Sequence, residues 1–194
     1  MEDPYNRCDW GAKTPLTIEY HDERWCKPVH EEQELFAMLS LEIMSSGLSW
    51  SLILDKETGM RQAFDQFNPE VVATYDQPKI DELLKNSSII RNTMKVNAIV
   101  QNAKAFLAIV QEIGSFDAYI WSFSDYQPIV HHATKLKDIS AQSKLSETIS
   151  KDFKKRGFRF VGPVIVYSYL QSIGIYNDHL EGCPWKYTHG QNRK

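Results

Sequence analysis

KDFKKRGFRFVGPVIVYSYLQSIG, residues 151–174, reads as a helix, a tight turn and a second helix. Gly157 stands where a helix C-cap glycine belongs, behind Lys154, Lys155 and Arg156, whose charges suit the carbonyl end of a helix. Pro163 fits the first turn of the next helix, where its missing N–H leaves nothing unsatisfied. Between them, Phe158, Phe160 and Val161 are expected to anchor the hairpin, and Gly162 lets a foreign backbone come close. Amides opening the 163–174 helix favour an anion such as a phosphate, and Lys155, Arg156 and Arg159 add positive charge. The plainer reading, a capping turn whose cations only satisfy the dipole, stays open on this segment alone.

Outward from this hairpin, helix follows helix. Glu31, Glu32 and Glu34 open a helix over 31–46, and Gly47 stops or bends it. A second helix covers 51–66, ending before Asn68-Pro69, and short ones opened by proline cover 69–75 and 78–86. Residues 93–112 carry a long amphipathic stripe through Val96, Ile99, Val100, Ala103, Phe106, Leu107 and Val110. Phe116–Phe123 reads as a short buried helix, 145–156 as a basic-ended one, and 124–144 as the longest loop-like stretch. Strand alternation is scarce, so the expected fold is all-α. No repeat or Gly/Ser linker divides the 194 residues. They are expected to form a single domain of two helical lobes, about 45–125 as one and 1–44 plus 126–194 as the other.

At 42% apolar and 24% charged residues, the composition is that of a soluble globular protein. No apolar run approaches a membrane span, and MEDPYNRCDW lacks the basic start and apolar core of a signal peptide, so a cytoplasmic protein without membrane partners is expected. The net charge of −3 means that a nucleic-acid partner would have to be held by a local basic face. Nothing in the chain asks for more than a monomer.

In LFAMLSLEIMSSGLSW, 35–50, Glu42 falls on the apolar stripe of Leu35, Met38 and Leu39. A carboxylate facing the core is costly unless a partner or a function keeps it there. Cys8 and His21 lie near one end of the chain; His179 and Cys183, at H-x3-C spacing, lie near the other. Two thiolates and two imidazoles would make one closed, tetrahedral structural Zn²⁺ site joining the terminal segments. Taken singly, each is more often a buried thiol or an ordinary polar residue. Cys26, His30, His131, His132 and His189 belong to no comparable set.

RCDW, YHDERW, LE followed by GLSW, KKRGFRFVGP and YSYLQSIGIYNDHLEGC occur in an order that resembles the DNA-3-methyladenine glycosylase I family, within the helix-hairpin-helix DNA glycosylases, over residues 7 to 184. The resemblance implies a helix-hairpin-helix glycosylase-like bundle that flips 3-methyladenine out of double-stranded alkylated DNA and hydrolyses its N-glycosidic bond, releasing the free base. It implies that Cys8, His21, His179 and Cys183 hold zinc. It carries base contacts to Glu42, Tyr20 and Trp50, pocket support to Trp10 and Trp25, and a pocket-edge position to Ser168. Leu48 matches the residue that plugs the duplex gap, and Arg91 and Lys95 match phosphate contacts.

The chain departs from the family pattern in three places. Ile43, Met44, Ser45 and Ser46 stand where glutamine is common; Cys26 stands where glycine is expected; Ser88 and Thr93-Met94 replace a glycine and a more basic pair. The altered 43–46 segment leaves open a damaged-DNA-binding homologue with little excision, and composition alone leaves open a zinc-stabilised interaction domain without a DNA role, against which the ordered motifs speak.

Overall fold

The structure, a computed structural model, describes residues 5–187, so His189 lies outside the described residues. Helices dominate: α1 Pro15–Glu23, α2 Glu32–Ser45, α3 Trp50–Ala63, α4 Pro69–Val72, α5 Gln77–Lys85, α6 Thr93–Ile113, α7 Phe116–Ser122, α8 Lys144–Lys155 and α9 Pro163–Ser172. The expected helices are all present within a few residues of their boundaries. The sequence reading missed α1, although Thr14 and Thr17 form a capping box and Pro15 opens the helix.

Helix α2 is the centre of the molecule. It packs against α3, α6, α7 and α9 and is buried at every position from Leu35 to Met44. It is therefore a helix buried all round rather than along a single stripe, with Ser40 and Glu42 as its buried polar residues. The Glu31 carboxylate caps it by accepting from Gln33 and Glu34 amides at 3.1 and 2.6 Å. At its other end the chain turns through Gly47 in the left-handed region, φ 76°, which a side chain would strain.

That turn is held from α6. The buried Lys95 ammonium donates to the carbonyls of Met44 (3.0 Å) and Ser46 (2.6 Å), satisfying groups that the end of α2 leaves unpaired. Lys95 is thus a staple between helices and does not reach solvent as a phosphate contact would.

The α8–α9 hairpin forms as expected, with Gly157 at φ 92° and Phe158 and Val161 buried. Asn102 of α6 clamps it from below, accepting from the Arg159 amide at 2.7 Å and donating to the Arg159 carbonyl at 3.0 Å. Phe160 does not anchor the turn. It adopts φ 57° and is 37% exposed, because the chain reverses there before Pro163.

The 124–144 stretch holds β1 Ile129–Val130, which pairs in parallel with β2 Tyr176–Asn177 in the register Ile129↔Tyr176. A Glu181 amide bond to the Ala133 carbonyl (2.9 Å) extends the pairing, and the buried Lys186 ammonium donates to the His131 and His179 carbonyls. The loop is therefore tied to the C-terminal segment. Among the described residues, no helix is long and apolar enough to cross a membrane. Replacing Lys95 by Met is expected to lower stability by about 2–3 kcal/mol, because two buried carbonyls lose a charged donor; urea titration reads this directly.

Candidate functional site

A cavity of about 430 Å³ opens where α1, α2, α3 and α9 meet, of a size suited to a small planar ligand. Glu42 reaches it from α2, Tyr20 from α1 and Trp50 from the first position of α3, with Trp10 and Trp25 behind. The aromatic rings brace one another: Tyr20–Trp50 centroids lie 5.1 Å apart, Trp10–Trp25 4.7 Å and Trp10–Tyr20 6.1 Å. Trp50 Nε1 is buried without a hydrogen-bond partner. Every aromatic residue expected around Glu42 is brought to one place.

Among the described residues, no cation meets Glu42. Ser45 Oγ donates to the Glu42 carbonyl at 2.8 Å and lies 3.4 Å from its carboxylate. Desolvation pushes the Glu42 carboxyl up to about 8, with only Ser45 pulling it down. Arg24 is turned away: it gives both Glu57 oxygens hydrogen bonds of 2.8 and 2.7 Å, while its guanidinium lies 5.2 Å from the Tyr20 ring centroid. Burial and the neighbouring Glu42 charge raise the Tyr20 phenol, so it stays neutral.

The floor comes from α9. Val164, Tyr167, Ser168 and Gln171 line the cavity at i, i+3, i+4 and i+7, a single helical face. Ser168 was expected there; its neighbours were not, although this spacing would have found them. The buried Asp178 carboxylate fixes two of them, accepting from Tyr167 at 2.7 Å and Gln171 at 2.6 Å. The opposite wall, Leu136 and Ile139–Ala141, belongs to the loop stretch, which carries no sequence signal of a site.

Leu48 stands at the mouth, 41% exposed, beside Gly47. Of the residues departing from the family pattern, Ile43 and Met44 are buried in the core, so only Ser45 of α2 reaches the cavity. Cys26 adopts φ 61°, a conformation that favours glycine, and its sulfur accepts the Asp178 amide at 3.3 Å. Ser88 is fastened to Asn86 Oδ1 through its amide (2.9 Å) and hydroxyl (2.7 Å), and Met94 is exposed.

The expected basic face is smaller than the sequence suggested. Lys95 is internal, and Arg156 is engaged by Asp152 (2.8 Å) and by both oxygens of Glu112 (2.9 and 3.3 Å). Arg91, Lys155 and Arg159 are exposed, and the space where a Gly162 side chain would project is open.

Behind the aromatic wall, Cys8, His21, His179 and Cys183 converge, all buried, with donor atoms within 4.8 Å of one another. Cys183 Sγ lies 3.6 Å from His21 Nε2 and 3.5 Å from His179 Nδ1, and Cys8 Sγ lies 3.9 Å from His179 Nδ1. Tetrahedral coordination at ordinary metal–sulfur and metal–nitrogen lengths needs edges of about 3.3–3.8 Å, with sulfur–nitrogen edges of about 3.5 Å. The remaining His21 nitrogen meets Asp22 at 2.8 Å, itself paired with Arg7, an arrangement that orients a ligating imidazole. Trp25 packs 4.7 Å from the His179 ring, linking this cluster to the cavity.

The family model described as methyladenine glycosylase matches residues 10–187. The chain is 41% identical to a DNA-3-methyladenine glycosylase of Haemophilus influenzae over 180 residues, covering 93% of this chain and 97% of that protein. The structure of 3-methyladenine DNA glycosylase I from Staphylococcus aureus superposes with a TM-score of 0.92 at 37% identity, covering 97% of this chain and 100% of that one. A tyrosine-to-phenylalanine variant of 3-methyladenine DNA glycosylase I in complex with 3-methyladenine gives 0.91 at 37% identity, covering 95% and 100%.

The raised Glu42 pKa has a stability consequence. The unfolded carboxyl ionises near 4.5 and the folded one near 8, so stability falls as pH rises between these values. Glu42→Gln is therefore expected to raise the thermal midpoint of the ligand-free protein at pH 8 relative to the parent, with the gap closing as pH falls toward 4.5. Melting curves across that range test it; a gap independent of pH would show that Glu42 is already balanced.

Proposed function

The chain belongs to the methyladenine glycosylase family and is a DNA-3-methyladenine glycosylase, and from that premise we propose how its residues act. The observation that carries the reading is a buried carboxylate without a cation, facing aromatic rings across a cavity. An N3-methylated adenine nucleotide is positively charged, and its base departs as a neutral molecule once the glycosidic bond breaks. The pocket must therefore select a cation, hold it clear of the duplex and let it leave.

Flipping brings the base between Trp50 and Tyr20, whose electron-rich faces favour a cationic ring. Glu42 accepts from the exocyclic amine and supplies the missing negative charge. As the bond lengthens, positive charge moves to the sugar, and the same carboxylate stabilises it while water attacks. A bound cation lowers the Glu42 pKa, so productive binding strengthens as pH rises toward about 8. Leu48, on the rim beyond Gly47, fills the space that the flipped base vacates. The α8–turn–α9 unit acts as the helix-hairpin-helix element: the amino end of α9, open space at Gly162, and Lys155 and Arg159 hold a DNA phosphate.

Cys8, His21, His179 and Cys183 suit a structural zinc ion, which would cross-link the two ends of the described chain without touching the base. Elemental analysis of the purified protein is expected to give about one zinc per chain. His179→Ala should lose the metal and lower the thermal midpoint.

The reaction itself is tested by incubating methylated duplex DNA with the protein and identifying released bases by chromatography. Free 3-methyladenine is the expected product; DNA binding without release would leave only a recognition module. Glu42→Gln should slow single-turnover release without abolishing it, and an unchanged rate would remove Glu42 from the mechanism. Trp50→Leu should lower kcat/KM for 3-methyladenine release from methylated duplex about tenfold, the loss of one desolvated cation–π contact with the flipped, still cationic base.

A further inference from the structure

Several cations among the described residues are already occupied. Glu57 and Glu34 hold Arg24 and Arg61, Asp152 and Glu112 hold Arg156, and backbone carbonyls hold Lys95. Lys135 and Lys137 differ. Both are exposed, and neither side chain has an ion-pair or hydrogen-bond partner among the described residues. They flank Leu136, which lines the base pocket and also a second cleft of about 430 Å³. That cleft takes Asn6, Thr134 and both lysines in its walls, together with Arg7, which is paired to Asp22, and the carboxylate of Asp9.

The lysines sit on a fixed backbone. Before them, His131 and Ala133 are bonded to Asn177 and Glu181; after them, the Ser143 hydroxyl meets Tyr176 at 2.7 Å. Leu136–Asp138 forms a single 3₁₀ turn between these ties. A flipped nucleotide stays joined to its strand on both sides, so the backbone must cross the pocket rim twice. In the proposed function the hairpin serves one flank of the mouth, where α9 supplies Val164. The other flank is the wall of Leu136 and Ile139–Ala141, and Lys135 and Lys137, which bracket Leu136, line the second cleft that adjoins the pocket at that residue.

We propose that residues 134–141 form a second phosphate-contact element, in which Lys135 and Lys137 hold the strand that delivers the flipped nucleotide. The carboxylates of Asp9 and Asp138 nearby make the cleft a poor site for a free anion. A duplex already held at the hairpin brings its phosphates there regardless. This rests on the glycosylase reading, and the experiment separates the two.

Lys135→Gln, Lys137→Gln and the double variant are compared with Lys104→Gln, an exposed α6 lysine that lines neither cleft. Each binds a duplex oligonucleotide bearing a stable abasic-site analogue over a range of KCl concentrations. The slope of log K against log salt should shrink by about 0.9 for each single loop variant and about 1.8 for the double. Lys104→Gln should leave it unchanged, and the double variant should bind free 3-methyladenine as the parent does. A parental slope in the double variant overturns the proposal, as does an equal effect from Lys104→Gln, which would mark a general field. If the parent neither binds the duplex nor releases 3-methyladenine, the glycosylase reading fails and takes this one with it.

Discussion

Glu42 lies on a helix buried along the whole of Leu35–Met44, and among the described residues its carboxyl meets a serine hydroxyl instead of a cation, so ionising it stays costly until something positive enters the cavity. The surrounding structure keeps it that way. Arg24 is near enough to Tyr20 to lie over its ring, yet Glu57 takes its guanidinium with two hydrogen bonds, and Arg61 spans Glu57 and Glu34. Each arginine in this network is matched to carboxylates away from the pocket. An ion network of this kind contributes modestly to stability, but it fixes where positive charge is absent. The proposed selectivity for a cationic base follows from that absence.

The pocket also depends on the cysteine–histidine cluster through the backbone. Segment 176–183 carries His179 and Cys183, pairs with residues 129–133, and presents Asp178 to Tyr167 and Gln171 on the pocket floor. Lys186 ties His131 and His179 together from beneath. A metal at the proposed site would thus steady two sides of the cavity while remaining behind Trp25. The same coupling sets the backbone of Lys135 and Lys137, because their loop leaves the β1–β2 pair directly.

Helix α2 shows how a departure from a family pattern is reinterpreted by burial. Ile43 and Met44 belong to the stretch, 43–46, where the family commonly has glutamine, a departure that left a damaged-DNA-binding homologue with little excision open. In the folded chain both side chains fill the core, and the change reaching the cavity is confined to Ser45, which bonds the Glu42 carbonyl. Cys26 is similar: the family glycine marks a left-handed position, and the cysteine keeps that backbone while its sulfur accepts an amide.

Helix order and the hairpin were legible because their signals are local, whereas the four metal-type residues were grouped by pairing the two ends of the chain and by the family resemblance. Gly157 and Pro163 act within one turn of chain, as does the acidic run Glu31, Glu32 and Glu34 at the start of α2, and the H-x3-C pair needs a single bend. Identity of the aromatic set around Glu42 came from motif resemblance, and the fold brought those residues together. What tertiary structure alone decided is which charges are free. Arg156 is claimed by Glu112, 44 residues away, and Lys95 by Ser46, 49 residues away, so neither is available to a phosphate. The 136–141 wall and the outward turn of Phe160 were equally hidden. Local sequence encodes where a helix stops; whether a lysine faces water depends on partners that only the folded chain brings within reach.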